Sequence, residues 1–441
     1  MEWKKIISIV SVVLSISISS ARAQQMITLQ EAIAAGLQSN YDILLVSNDS
    51  VAAAIDKRYV VGAFLPNINA TVGALWTTSA QKQKFDSRPE VQGSGIKTGN
   101  INASMNLNWT LFDGLRMFAT KQKVDELYAL GRINLKAQVV NTTAEVVNNY
   151  YLIVRQKQML KALEEQMSIS EERVKLADRK LSVGLGTKPE LLQAKVDLNA
   201  QIATHLQQQT TIVQLKDRLN QLTGMQLPAV YEVADSIPLN LDMNIADIQN
   251  GIETTNLSIL QAMKNADIAR VALKEFKGDR WPVISFVSAY NFSRNENQNN
   301  INPFSSTYNR NKGYNFGFTA AIPLLNNLSV NRNIQQAKLD VEYQDIVVAK
   351  QKSQVNVWVK VAFNSYQYQV TALKLEEENI ELAKENVMIA LERFRLGVST
   401  YLELREAQKS LQDAYDRLIG ARYNTKLSET ELLRLKGELV R

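Results

Sequence analysis

Identical or similar residues recur along this chain at a nearly constant spacing, and that spacing limits the fold more than any other feature. Asn40 and the Leu65-Pro66 pair meet Asn256 and Trp281-Pro282 at an offset of 216 residues. Further on, at an offset of 213, Tyr150 meets Phe363, Gly184 meets Gly397, Thr187 meets Thr400, Glu190 meets Glu403, Ala194 meets Ala407, and Leu219 and Gly224 meet Leu432 and Gly437. A tandem duplication requires the architecture to be built twice. The expected organisation is a first repeat over 24–224, a linker over 225–240 and a second repeat over 241–441. The linker contains Pro228 and Pro238 and lacks helical periodicity. Each repeat runs helix, strand pair, very long helix, tight turn, helix.

The strand pairs, expected over 66–77 with 100–112 and over 282–293 with 313–325, alternate with period two. Ile101, Ala103, Met105, Leu107, Trp109 and Leu111 share one face, while Asn102, Ser104, Asn106, Asn108 and Thr110 share the other. Ile68, Ala70, Val72, Ala74 and Trp76 form a second apolar stripe, Ile284, Phe286, Ser288, Tyr290 and Phe292 a third, and Tyr314, Phe316, Phe318, Ala320, Ile322 and Leu324 a fourth. About ten residues of apolar-out, polar-in alternation is the length and pattern of a tilted membrane strand. Trp109, Phe112 and Trp281 near the strand ends suit an interfacial girdle, and Gln81–Gly99 and Arg294–Lys312 are expected to be long polar loops. Four strands leave two open edges. In hydrocarbon each unpaired backbone group costs several kcal/mol, so several chains must share one barrel, and three chains supply twelve strands.

Residues 115–183 contain no proline and one glycine, Gly131, and their counterpart 328–396 contains neither. A helix of that extent is on the order of 100 Å long, beyond any compact domain. The return helices, 188–223 and 401–437, have a seven-residue rhythm. Leu404, Leu411, Leu418, Thr425 and Leu432 are followed three places later by Ala407, Ala414, Ala421, Ser428 and Leu435, and Leu191, Leu198, His205, Ile212 and Leu219 mark the first repeat. This is coiled-coil packing with small residues that allow close helix approach. His205, the single histidine, sits on that seam and is read as a packing residue.

Lys4 and Lys5, the apolar run Ile6 to Ile18 and the small-residue ending Ala21-Arg22-Ala23 read as a signal peptide over 1–23, cut before Gln24. No other stretch approaches the roughly 20 apolar residues of a membrane helix. The absence of cysteine excludes disulfides and thiolate metal sites. The formal charge of +6 is spread along helical stretches where Lys and Arg alternate with Asp and Glu, so nucleic-acid binding has no support. With one histidine and no phosphate loop, activated nucleophile or metal cluster, the pattern supplies no catalytic residue, cofactor or metal.

Each long helix ends in a tight turn: Val183, Gly184, Leu185, Gly186 and Thr187 in the first repeat, and Leu396, Gly397, Val398, Ser399 and Thr400 in the second. The glycines suit left-handed caps, and Thr187 with Glu190 and Thr400 with Glu403 read as capping boxes. These glycine-threonine turns, each followed by a leucine-alanine helix, resemble those of the TolC family of outer-membrane efflux proteins. Leu65-Pro66 opening a strand, WTLFDG over 109–114 and LNQLTG over 219–224 extend the resemblance to nearly the whole chain beyond residue 23.

The resemblance implies an α+β membrane protein: a homotrimer with a twelve-stranded β-barrel in the outer membrane and a coiled-coil tunnel in the periplasm. It further implies a tip at 183–187 and 396–400 that docks on a periplasmic adaptor (membrane fusion protein), an inner-membrane pump that feeds the tunnel and selects the cargo, and no enzymatic activity. It assigns Glu403 and Glu406 to a periplasmic gate, and Glu190 matches an acidic position after the first turn. The family's basic residue between the second glycine and the acidic pair is replaced by Ser399, which leaves Arg393, Arg395 or Arg405 to take its place. The competing reading from another class is a periplasmic coiled-coil adaptor or scaffold without a pore. It accounts for the helices and the secretion signal but not for four strands of membrane length.

Overall fold

The computed structural model describes residues 25–228, 230–299 and 306–439, and the signal peptide expected over 1–23 lies outside them. Element order is β1 (Gln25–Ile27), α1 (Leu29–Ser39), α2 (Tyr41–Tyr59), a 3-10 turn (Val60–Phe64), β2 (Asn67–Phe85), β3 (Arg88–Phe112), α3 (Arg116–Ser182), α4 (Lys188–Leu222), β4 (Tyr231–Val233), α5 (Ile245–Gln249), α6 (Ile252–Thr255), α7 (Leu257–Gly278), β5 (Val283–Gln298), β6 (Tyr308–Ala321), α8 (Ser329–Arg395) and α9 (Tyr401–Lys436). The chain divides into two compact units. The helical unit takes the described residues up to Asp49, Arg132–Gln261 and those from Ala349 onward, and the strand unit takes Ser50–Gly131 and Ala262–Val348.

The core of the helical unit is strung along its long helices. Val146, Tyr150, Ile153 and Val154 of α3 pack with Ile212 and Leu219 of α4 and with Ile27, Tyr231 and Val233 of β1 and β4. Val355, Val359 and Phe363 of α8 pack with Leu432 and Leu435 of α9, and further along Leu373, Ile380 and Val387 meet Ala407, Leu411, Ala414, Leu418 and Ala421. The heptad positions Leu404, Leu411, Leu418, Thr425 and Leu432 are all buried. His205 is half-buried, its Nε2 3.2 Å from Oε1 of Glu164.

Positions that correspond by offset make matching bonds. The buried Asn40 side chain donates to the Leu222 carbonyl at 2.8 Å and accepts from the amides of Asp42 and Ile43. Asn256 donates to the Leu435 carbonyl at 2.7 Å and accepts from the amides of Ser258 and Ile259. Each asparagine thus caps one helix start and ties it to the end of a return helix, satisfying groups a helix terminus leaves unpaired. Gly224, with φ of 65°, follows the first of these helix ends, and a β-carbon there would lie 2.2 Å from the Ser39 carbonyl oxygen, so no other residue fits without moving backbone.

In the strand unit four antiparallel strands form one sheet in the order β2-β3-β5-β6. Cross-strand neighbours carry the apolar stripe: Met105 faces Tyr290, Trp109 faces Phe286, Tyr290 faces Tyr314, and the Phe286 and Phe318 rings lie 5.3 Å apart. The Trp76 indole lies over Gly99, its cross-strand partner. Trp109 donates from its indole N–H to the Phe64 carbonyl at 2.9 Å.

The structure corrects several sequence expectations. The span Gln81–Gly99, expected as a loop, continues the hairpin, with β2 and β3 paired out to Phe85 and Arg88. Its apolar residues, Phe85, Val91 and Ile96, are too few to alternate as a stripe; the backbone ladder and a Lys82–Glu90 ion pair at 2.6 Å hold it. Most of the other expected loop is strand as well, since β5 runs to Gln298 and β6 starts at Tyr308. β6 stops at Ala321, short of the expected 325, because Pro323 has no N–H to donate. The linker is not wholly irregular either: Tyr231–Val233 pairs in parallel with Gln25–Ile27. The long helices begin one residue late, because Leu115 and Leu328 hold positive φ values of 67° and 61°.

Candidate functional site

Within the helical unit the two turns that end α3 and α8 are built alike. The amides of Leu185 and Gly186 both donate to the Lys180 carbonyl, at 2.8 and 2.9 Å, around Gly184 in the left-handed region. The Val398 amide donates to the Arg393 carbonyl at 3.0 Å around Gly397, also left-handed. These are helix ends closed by a glycine cap. Each turn presents apolar side chains with nothing packed on them: Val183, Leu185, Leu396, Val398 and Leu402 are all exposed, Leu185 at 81%.

The caps that start α4 and α9 differ. The Thr187 amide donates to Glu190 Oε2 at 3.2 Å. In the second turn the Glu403 amide donates to Thr400 Oγ1 at 3.3 Å, but the Glu403 carboxylate turns to the Ser399 hydroxyl at 2.9 Å. Only the N-cap half of the expected second box forms, because Ser399 offers the carboxylate a closer donor. Of the three arginines expected to stand in at Ser399, Arg393 approaches Glu403, at 3.9 Å, whereas Arg405 goes to Asp197 at 3.4 Å and Arg395 to Glu172 and Glu392. Glu406 is exposed and has no ion-pair partner among the described residues.

Glu403 and Glu406 border a groove of about 990 Å³ lined also by Arg405 and Lys409 of α9, Gln201 and Thr204 of α4, and Gln166 of α3. At its floor lies a polar cluster that no sequence pattern announced. Arg173 of α3, 2% exposed, donates to Gln408 of α9 at 2.7 Å and to Asp197 of α4 at 2.9 Å, and its guanidinium lies 5.1 Å from the centre of the Tyr401 ring. The Tyr401 hydroxyl donates to Asp197 at 2.6 Å and Gln193 donates to its other oxygen at 2.9 Å. Burial alone would raise the Asp197 pKa. The hydrogen bonds from Tyr401 and Gln193 and the charges of Arg173 and Arg405 outweigh it and hold the carboxyl below its ordinary value. Burial and the bond to Asp197 push the Tyr401 phenol up to about 12. Nearby, Lys180 donates to the Phe394 carbonyl at 2.7 Å, and Tyr415 donates to Glu165 at 2.6 Å. The first helix hairpin is thus riveted to the second by charge-assisted bonds.

The site has no metal-ligand geometry: among the described residues no cluster of three or more His, Asp or Glu could hold an ion. No described helix is long and apolar enough to cross a membrane. What the arrangement can do is present carboxylates and apolar turns at the end of a helical bundle.

The comparisons with known proteins agree on one family. The model of the outer membrane efflux protein family matches residues 50–225 and 251–438. The chain is 23% identical over 266 residues to outer membrane protein TolC of Vibrio cholerae serotype O1, the match covering 59% of each chain. To TolC of Escherichia coli K12 it is 19% identical over 270 residues, covering 59% of this chain and 54% of that one. The matches span somewhat over half the length of these curated relatives. Among solved structures, the fold is similar to that of the outer membrane protein VceC of Vibrio cholerae, with TM-score 0.75, 15% identity and coverage of 93% and 96%. It is equally similar to that of CusC, described in terms of folding and transmembrane channel formation, with TM-score 0.76, 16% identity and coverage of 92% and 91%.

Proposed function

The chain belongs to the outer membrane efflux protein family, and from that premise we propose that it is the outer-membrane channel of a tripartite export system. In this reading it is a passive conduit built from three copies, with a shared twelve-stranded barrel and a helical duct in the periplasm. The two halves of the chain are tandem repeats, the tip turns dock on a periplasmic adaptor, and an inner-membrane pump supplies the cargo.

The observation that carries the reading is that both units leave apolar surface or strand edges that nothing among the described residues covers. In the strand unit the sheet ends at β2 and β6, each with an unpaired edge, and Val72, Trp76, Tyr314, Phe316 and Phe318 stand exposed. An open edge in hydrocarbon is prohibitively costly, so the sheet must close with copies of itself. In the helical unit, α8 carries Val361, Tyr368, Leu375, Leu382 and Ile389, one every seven residues, with Leu396 just past its end in the same register, and every one is exposed. On α4, Leu192, Val196, Leu206 and Val213 are exposed on the side away from the core. A heptad stripe with no partner among the described residues fits a seam between protomers, α4 of one against α8 of the next. A poreless scaffold gives the sheet nothing to close against.

At the tip, Glu403 and Glu406 line the entrance of the duct, and their threefold repetition makes a carboxylate ring that draws cations and repels anions. Glu190, engaged with its own helix cap, has the lesser part. Purified protein in a planar bilayer tests both levels. The expected result is a heat-modifiable trimer with cation-selective conductance, and a loss of selectivity in the Glu403→Gln/Glu406→Gln variant. A monomer without conductance overturns the channel, and an unchanged selectivity removes the two glutamates from the entrance.

A further inference from the structure

We propose that the outward face of β5 and β6 holds a site for the phosphate groups of an anionic lipid headgroup in the outer leaflet, formed by Arg310 and Lys312 beside Arg294 and Tyr308. The proposal rests on the membrane-barrel reading above.

The strand register sets the positions. Tyr290 faces Tyr314, and Phe292, one row further out on the same side of the sheet, faces Lys312. Arg294 faces Arg310 in the next row, and Glu296 faces Tyr308 in the one after. Because side chains alternate, these cations share the face that carries Phe286, Phe318 and the two tyrosines, the face turned to lipid. Helices attach at the other ends of the strands, after Phe112 and after Ala321, so with the helices in the periplasm this end lies in the outer leaflet.

Height agrees. Ten residues separate Ile284 from Arg294. At about 3.4 Å per residue and a strand tilt near 40°, they span roughly 25 Å, the height of the apolar band of a membrane barrel. Arg294 and Arg310 therefore stand where hydrocarbon gives way to headgroups. Lys312 starts one row lower and reaches the same level by extending its stem.

The row is not simply a solvated rim. On the first strand pair the same rows carry Val72 with Ala103 and Ala74 with Ile101, with no charge. Arg294 is engaged by Glu296 and lies 5.7 Å from the centre of the Tyr308 ring, whereas Arg310 and Lys312 have no acidic partner among the described residues. On the first strand pair Lys82 is paired with Glu90, while Lys84 and Lys97, also exposed and without an acidic partner among the described residues, lie beyond the rows of Arg294 and Lys312. Two unpaired cations and an aromatic ring at the lipid boundary match a phosphorylated headgroup: the phosphate offers charge-assisted acceptors, and its acyl chains lie along Phe292 and Tyr314.

The test is native mass spectrometry of the full-length protein in detergent, titrated with diphosphoryl lipid A, with the same lipid dephosphorylated, and with inorganic phosphate. The wild type is expected to retain the diphosphoryl lipid, to retain little of the dephosphorylated one and none of the free phosphate. The Arg310→Gln/Lys312→Gln variant is expected to bind about thirty-fold more weakly, roughly fivefold per cation removed, while conducting like the wild type in bilayers. Lys82→Gln, which breaks an existing pair, is expected to bind as the wild type does. Equal retention of both lipids by the wild type, equal retention by the double variant, or an equal loss in Lys82→Gln overturns the site while leaving the channel standing. A wild type that inserts in no bilayer overturns the barrel and the site together.

Discussion

The helical unit and the strand unit solve the problem of burial in opposite ways. In the first, the core is completed within the chain: Leu404, Leu411 and Leu432 are covered by their own helices, and even the guanidinium of Arg173 finds acceptors in Gln408 and Asp197. In the second, the large apolar side chains Trp76, Tyr314, Phe316 and Phe318 are each at least 70% exposed. The contrast separates two sources of stability. The helical unit covers its own core, and in the proposed barrel the sheet takes its cover from hydrocarbon on one face and further strands at its edges.

The largest expected effect breaks the helical side of that contrast. Replacing Arg173 with Met removes a buried donor that Asp197 and Gln408 share and leaves Asp197 to Tyr401, Gln193 and Arg405, at a cost of about 3–5 kcal/mol. The urea midpoint of the purified protein should fall accordingly. No single polar substitution in the exposed sheet should come near it, and Asn106→Ala is expected within about 0.5 kcal/mol. Comparable losses would mean that the polar cluster does not hold the hairpins together.

The next effect sharpens the strand side. Phe318 and Thr319 are neighbours on β6 that point to opposite faces. Phe318→Arg should weaken insertion into lipid vesicles by about 2–4 kcal/mol, and Thr319→Arg should be nearly neutral. Refolding into vesicles across a urea series measures both, and equal costs would take lipid away from the apolar face.

How much of this was legible beforehand follows the same division. Periodic features were readable because each repeats a local rule. Every seventh residue of α9 is buried as the heptad implies, and Ile101 to Leu111 alternates as a strand with one apolar face. The outer half of the β2-β3 hairpin was not readable, since its few apolar residues, such as Val91 and Ile96, do not alternate into a stripe. The three-residue pairing of β1 with β4 joins segments about two hundred residues apart and has no local signature. The Arg173 cluster needs α3, α4 and α9 brought together before Asp197, Tyr401 and Gln408 become neighbours. Along any one helix these look like ordinary surface residues. Glu190 and Glu403 were marked by their turns and Glu406 by the family resemblance, but their unequal partners were not, because Ser399 competes for Glu403 through a side-chain rotamer that spacing does not encode.

A smaller effect is pH-dependent. The Asp197 carboxyl titrates below its ordinary value when folded, so the stability it contributes is fully present above the unfolded pKa, near 3.8, and is lost as pH falls through the lower folded value. The wild type should therefore lose stability in acid below about pH 4 more steeply than Asp197→Asn, which lacks the titrating group. Thermal melts between pH 3 and 6 read the difference, and parallel curves would detach Asp197 from the balance.

The smallest effect compares the two tip turns with each other. Glu190 is bound to its own helix cap through the Thr187 amide, whereas Glu403 leaves the Thr400 amide free and accepts from a serine hydroxyl. Glu190→Ala should accordingly cost about 0.5–1 kcal/mol of stability, the worth of a cap interaction, and leave ion selectivity unchanged. Glu403→Ala should cost less in stability and more in selectivity, since its carboxylate faces the groove shared with Glu406. Melting temperatures and reversal potentials on the two single variants test the crossover. If both shift in the same proportion, the turns are interchangeable, and the assignment of one to structure and the other to the entrance fails.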